Sequence, residues 1–287
     1  MTDTKQTFSA LITTDQLAAH LTDSDWVIVD CRFDLAKPDW GFENYQQGHI
    51  AGATYAHLDH DLAAPITSTG GRHPLPAPAQ IAQTFGKLGI SNASQVVVYD
   101  TVGGGFAARL WWMLRYCGHD AVAILDGGYA KWATEQRPTR TGIEIYPPRR
   151  FTPSPQPHML VTTEQVLQAI SSSNSILIDA RAPVRYRGEQ EPIDPVAGRI
   201  PGALNRFHVN NLTPAGVFLP PAELATQFES LLGGRSTAEA IVYCGSGVTS
   251  CHHLVALASA GLPLPRLYVG SWSEWIQDPS RPIARGE

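Results

Sequence analysis

The chain has 287 residues, 43% of them hydrophobic and 16% charged, with a formal net charge of −5. That length allows about two domains, each with its own core, and the composition is that of a folded globular protein. Arg149-Arg150 is the only adjacent basic pair, which excludes the polybasic footprint of a nucleic-acid binder, and no apolar run reaches the ~20 residues of a membrane span.

The first 21 residues, MTDTKQTFSALITTDQLAAHL, lack a basic start followed by a long apolar core. No secretory signal is expected, and the expected location is cytoplasmic. WVIVD (26–30) reads as a short, fully buried strand; GHIAGA (48–53) follows it. PAQIAQTFGKLG (78–89) has apolar residues at helical spacing and stops at Gly89. The strand VVVYD (96–100) runs into the loop DTVGGGFAARL (100–110), and the strand AVAIL (121–125) into LDGGYAKW (125–132). YPPRRFTPSPQPHM (146–159) has five prolines and neither helical nor strand periodicity, which predicts an extended, stiff linker.

Then the pattern starts again. ILIDAR (176–181), GRIPGA (198–203), the helix PAELATQFESLLGG (221–234), AIVYC (240–244) and YVGSWSEW (268–275) repeat the first half in the same order at nearly the same spacing. A repeat of this period predicts two homologous domains, 1–140 and 160–287, joined by a Pro-rich linker at 141–159. Strands alternating with helices predict an α/β fold in each, a parallel sheet flanked by helices on both faces.

The chemistry concentrates at CGSGVT (244–249). Cys244 ends a predicted parallel strand, and a helix is predicted over 249–260, stopped by Gly261 and Pro263. Ligands bind at this end of strands in open α/β sheets. Glycines let successive backbone N–H groups turn inward as an anion nest, and the helix start adds partial positive charge. A dipole contribution of up to ~2 kcal/mol lowers a thiol near ~8.5 by about 1.5 units, towards neutrality. Cys244 therefore reads as a thiolate nucleophile that needs no metal or cofactor. In the first repeat Asp100 to Leu110 matches Cys244 to Leu254, so Asp100 stands where the thiol would be. The first domain is expected to be catalytically silent, supporting and covering the second.

The other candidates have plainer readings. Four cysteines are too few for a disulfide framework and fit a reducing compartment. Cys31 and Cys117 read as core. Cys251, on the first helical turn, reads as packing, with a resolving thiol as its alternative role. His252-His253 beside two cysteines fits no zinc spacing and reads as structural. Gly103-Gly104-Gly105 lacks the lysine of a phosphate loop. Trp111, Trp112, Trp272 and Trp275 read as core or domain-interface residues. A cysteine-dependent phosphatase would need an arginine six residues after the cysteine, where this chain has Ser250.

Together the tandem repeat, the GHIAGA and GRIPGA turns, the DGGYAKW and GSWSEW segments and the CGSGVT loop resemble two-domain rhodanese-type sulfurtransferases. The loop is more similar to 3-mercaptopyruvate than to thiosulfate sulfurtransferases, whose vertebrate members carry basic residues where this chain has Gly245 and Ser246. The resemblance implies ping-pong transfer of a sulfane sulfur from thiosulfate or 3-mercaptopyruvate through a Cys244 persulfide. The implied acceptor is cyanide, a small thiol or a thioredoxin-like protein. It also implies that the N–H groups of Gly245, Ser246, Gly247, Val248 and Thr249 hold the persulfide, with hydroxyl donors from Ser246 and Thr249. Arg185 matches the family's donor-binding arginine. The family's second arginine, expected near Ile193, is absent, and Arg187 and Arg199 are the candidates to replace it. His49, partnered by Asp39, matches a family histidine near the active loop. The non-enzymatic alternative within the family is a sulfur-carrier or partner-binding module.

Overall fold

The computed structural model describes residues 6–172 and 175–286. Two compact units emerge. The first comprises residues through Asp61 together with Ala77–Gln156; the second comprises Leu62–Pro76 together with the chain from Pro157 onward.

The first unit holds β1 (Leu11–Ile12), β2 (Trp26–Asp30), β3 (His49–Ile50), β4 (Thr54–Tyr55), β5 (Gln95–Tyr99), β6 (Val122–Leu125) and β7 (Thr139–Arg140). Five of them form a wholly parallel sheet in the order β1-β6-β5-β2-β4, and β3 pairs antiparallel with β7. The second unit holds β8 (Leu160–Val161), β9 (Ile176–Asp179), β10 (Leu204–Asn205), β11 (Ala240–Tyr243) and β12 (Arg266–Tyr268), parallel throughout in the order β10-β9-β11-β12-β8. Matched through the sequence repeat, the two orders are the same. Every residue of β2, β5, β6 and β11 is buried, so both faces of each sheet are covered, as helices between parallel strands require.

The repeated D-x-R and turn motifs explain each other. Arg32 donates from Nε to both Asp30 carboxylate oxygens at 3.0 and 2.8 Å, and from Nη2 to the Gly48 carbonyl at 2.7 Å. Arg181 does the same to Asp179 (3.1 and 3.1 Å) and to the Gly198 carbonyl (2.7 Å). Tyr99 and Tyr243 complete the staple: each hydroxyl accepts at 3.2 Å from the turn's next backbone N–H, Ile50 or Ile200. A buried ion pair thus fastens each GHIAGA-type turn to the end of its strand.

Two segments differ from the sequence expectation. The Pro-rich stretch is extended but lies along the first unit: the Arg149 and Ser154 N–H groups donate to the Gly86 and Cys117 carbonyls, and Phe151 packs on Phe85. Residues 62–76, from the first half of the sequence, belong to the second unit. Trp111, Trp112, Trp272 and Trp275 are fully buried. No helix among the described residues is long and apolar enough to cross a membrane.

Candidate active site

Cys244 follows the last residue of β11, at the carboxyl end of the strand in the middle of the second sheet. The helix begins at Cys251 rather than at 249 because residues 245–250 are used in wrapping the loop. Gly247 has φ +72, and a β-carbon there would stand 2.2 Å from the Val269 carbonyl oxygen, so only glycine fits. The repeated GSWSEW segment forms the opposite wall. The N–H groups of Trp272 and Ser273 donate to the Cys244 and Gly245 carbonyls at 3.0 and 2.8 Å, and Cys244 N–H donates to Ser271 Oγ at 3.1 Å. Ser271 adopts φ +55, a left-handed conformation rare for a residue with a side chain and stored at a functional loop.

All four cysteines are buried, and none is in a disulfide. Burial pushes the Cys31 thiol well above the ordinary value and the Cys117 thiol up to about 11. At Cys244 burial acts the same way, but hydroxyl donation from Ser250 and Thr249 and backbone donation from Ser246 and Ser250 outweigh it, and the pKa is lowered. Ser250 Oγ lies 3.4 Å from Cys244 Sγ. Asp100 shows the same loop receiving a carboxylate, which accepts the N–H groups of Val102, Gly104 and Phe106 at 2.8 Å each and of Ala107 at 2.9 Å. Ser246 and Ser250 occupy the positions of Val102 and Phe106. The fold builds an anion nest twice, filled by a carboxylate in one unit and a thiol in the other.

Of the residues expected from the sequence, Cys244, Gly245, Ser246, Gly247, Val248, Thr249 and Arg185 come together. The detail differs: the Ser246 hydroxyl pairs with His73 Nδ1 at 2.7 Å, and Ser250 is a donor to sulfur that the sequence reading used only to argue against a phosphatase. Arg185 is paired with Glu191 (Nε to both oxygens, 3.0 Å) and with Asp194 (2.9 Å). Arg187 engages Glu189, and Arg199 engages the Gly286 carbonyl and the Tyr186 ring. The guanidinium beside Arg185 is instead Arg72. A β-carbon on Gly245 would stand 3.0 Å from Arg72 Nη2 and 3.5 Å from Arg185 Nη2.

His49 sits in the first unit, fully buried, with Nδ1 2.8 Å from the Tyr45 carbonyl and Nε2 3.7 Å from Glu144; neither contact is with Asp39. Within the second unit, the histidine at the loop is His73. Its sequence signal was the length of the segment from Tyr55 to Pro78, longer than its counterpart from Asn205 to Pro221 and carrying GGRHPLP (70–76). Cys251 packs with Sγ 3.5 Å from the Gly247 carbonyl. His252 and His253, in the first turn of the helix that follows the loop, each lie against Asn211 Nδ2, at 3.0 and 2.9 Å.

The profile of the rhodanese-like domain family matches residues 13–135 and 162–278. The chain is 48% identical over 279 residues to a probable 3-mercaptopyruvate sulfurtransferase of Pseudomonas aeruginosa, covering 96% of this chain and 98% of that one. It is 38% identical to a putative thiosulfate sulfurtransferase of Mycobacterium tuberculosis, over 96% and 97% of the two chains. The crystal structure of SseA from Escherichia coli, described as a 3-mercaptopyruvate sulfotransferase with the rhodanese fold, superposes with a TM-score of 0.80 at 32% identity, over 93% of this chain and all of that one.

Proposed function

The chain belongs to the rhodanese-like domain family, and on that premise we propose that it is a sulfurtransferase whose Cys244 takes a sulfur from 3-mercaptopyruvate, or more slowly from thiosulfate, and passes it to a thiol. The observation that carries this reading is the environment of Cys244, a buried thiol whose pKa is lowered by hydrogen-bond donors while burial raises those of Cys31 and Cys117.

The Cys244 thiolate attacks the sulfur of 3-mercaptopyruvate. An S–S bond forms, the donor's C–S bond breaks, and the electron pair leaves on the methylene carbon as an enolate. The donor's thiol proton returns to that carbon, giving pyruvate and a Cys244 persulfide. The hydrogen-bonded Ser246–His73 pair beside the loop can relay this proton. With thiosulfate the donor's own S–S bond breaks and the pair leaves with sulfite. In the second half-reaction an acceptor, whether cyanide, a small thiol or a thioredoxin-like protein thiol, attacks the outer sulfur and regenerates the Cys244 thiolate. The donors that lower the thiol pKa also hold the charge of the persulfide. Gly245 and Ser246 carry no charge of their own; the cations beside the loop are Arg72 and Arg185.

Intact-protein mass spectrometry after brief exposure to each donor tests the reading. A single one-sulfur adduct is expected on the unaltered chain and none on Cys244→Ser, with faster loading from 3-mercaptopyruvate. No adduct from either donor overturns it.

A further inference from the structure

Above the Cys244 loop the second unit places two guanidinium groups, Arg72 and Arg185, and one carboxylate spans them. Asp194 offers Oδ1 to Arg72 Nη1 and Oδ2 to Arg185 Nη2, the latter at 2.9 Å. Each arginine takes one oxygen, the division a ligand carboxylate held between two arginines would show. The two arms differ in their support. Arg185 is fixed independently by Glu191, through two bonds from Nε. Arg72 is fixed by its backbone, whose N–H donates to Ser273 Oγ at 3.0 Å, while its Nε is buried with no hydrogen-bond partner among the described residues. A buried donor left unmade is costly, so Arg72 has unused capacity for an oxyanion. Its reach to Gly245 brings that capacity next to the residue after Cys244.

We propose that Arg72 and Arg185 form a two-armed anion clamp over the Cys244 loop, and that the Asp194 carboxylate is its resident occupant, displaced by the carboxylate of the sulfur donor. The inference rests on the donor chemistry given above and adds a specificity device to it. Arg72 supplies the second arm that the absence of an arginine near Ile193 leaves open. Asp194 keeps the two guanidinium groups paired while the site is empty, and it competes with every anion that enters. A planar monocarboxylate exchanges with Asp194 like for like, in shape and charge; a tetrahedral sulfonate does not.

Two readouts separate this inference from the persulfide chemistry. The first is calorimetric binding of pyruvate, which carries the donor's carboxylate but no sulfur. Asp194→Asn is expected to tighten pyruvate binding and lower KM for 3-mercaptopyruvate by about fivefold, with the change in KM exceeding any change in kcat. Arg72→Gln is expected to weaken both by about tenfold, and Arg72→Lys, which keeps the charge but loses the fork, by less. In Arg72→Gln/Asp194→Asn the gain from Asp194→Asn disappears, because the competitor and the donor act on the same arm. If Asp194→Asn weakens pyruvate binding or leaves it unchanged, Asp194 is a scaffold and the proposal falls. Pyruvate binding insensitive to Arg72→Gln removes Arg72 as an arm. The second readout is the sulfur adduct at saturating donor. Pyruvate binding that responds as described without any adduct would leave the clamp standing and overturn the persulfide, and an adduct with unresponsive pyruvate binding does the reverse.

Discussion

The Ser250 hydroxyl is the first among the hydrogen-bond donors that set the reactivity of Cys244. It donates to sulfur from 3.4 Å, inside a site where burial alone would suppress the thiolate. Hydrogen bonds to a charged group are worth about 1.5–3 kcal/mol, or about 1–2 pKa units. Ser250→Ala is therefore expected to raise the Cys244 pKa by at least about one unit. The rate of alkylation by iodoacetamide as a function of pH reads this directly; an unmoved midpoint would mean that the Thr249 hydroxyl and the backbone donors suffice. Ser246→Ala should shift that midpoint less, since its hydroxyl is engaged by His73. That difference was not visible in the sequence. CGSGVTS shows three hydroxyls near a cysteine, and only the turn of the chain decides that those of Ser250 and Thr249 serve the sulfur while that of Ser246 turns to His73.

At the scale of elements, the D-x-R staple is the device most clearly written twice. Asp179 and Arg181 are both nearly inaccessible, and Arg181 also carries the Gly198 carbonyl. Removing one partner of such a pair typically costs about 3–5 kcal/mol, because the other charge is left buried and alone. Asp179→Ala should lower stability to urea by that order, whereas Asp179→Leu/Arg181→Met should recover most of the loss. The helix Cys251–Ser259 adds a pH dependence. Burial holds His253 well below its usual pKa, and its Nε2 lies 2.9 Å from the Arg206 carbonyl. A histidine with a depressed folded pKa binds its proton more readily in the unfolded chain. Its contribution to stability is thus complete above about pH 6.5 and is lost as pH falls towards the folded pKa, at up to about 1.4 kcal/mol per unit. Urea midpoints at pH 7.5 and 5 should differ more for the unaltered chain than for His253→Gln; equal differences would assign the acid sensitivity to other groups.

Across the whole molecule, the repeat was legible because strands buried on both faces and glycine-bounded turns leave strong marks in sequence, and the two sheets do share one strand order. Membership of residues 62–76 was not legible: the segment has no periodicity, and nothing in GGRHPLP says which unit it will join. That one crossing hid Arg72 and His73. It also yields a test of what a nest can do alone. Asp100 and Cys244 occupy equivalent nests, but six residues beyond Asp30 stands Ala36, where six beyond Asp179 stands Arg185. In a Cys244→Ser background, Asp100→Cys should give a thiol that iodoacetamide alkylates near neutral pH, since the four N–H donors remain. Sulfur loading of that thiol from 3-mercaptopyruvate should be at least ~100-fold slower than at Cys244, because Ala36 stands where Arg185 would hold the donor in line with the sulfur. Loading at a comparable rate would mean that a lowered thiol pKa is sufficient and that Arg72, Arg185 and His73 are dispensable. Slow loading with fast alkylation would separate the two properties that the second unit combines, a thiolate and a grip on the molecule it attacks.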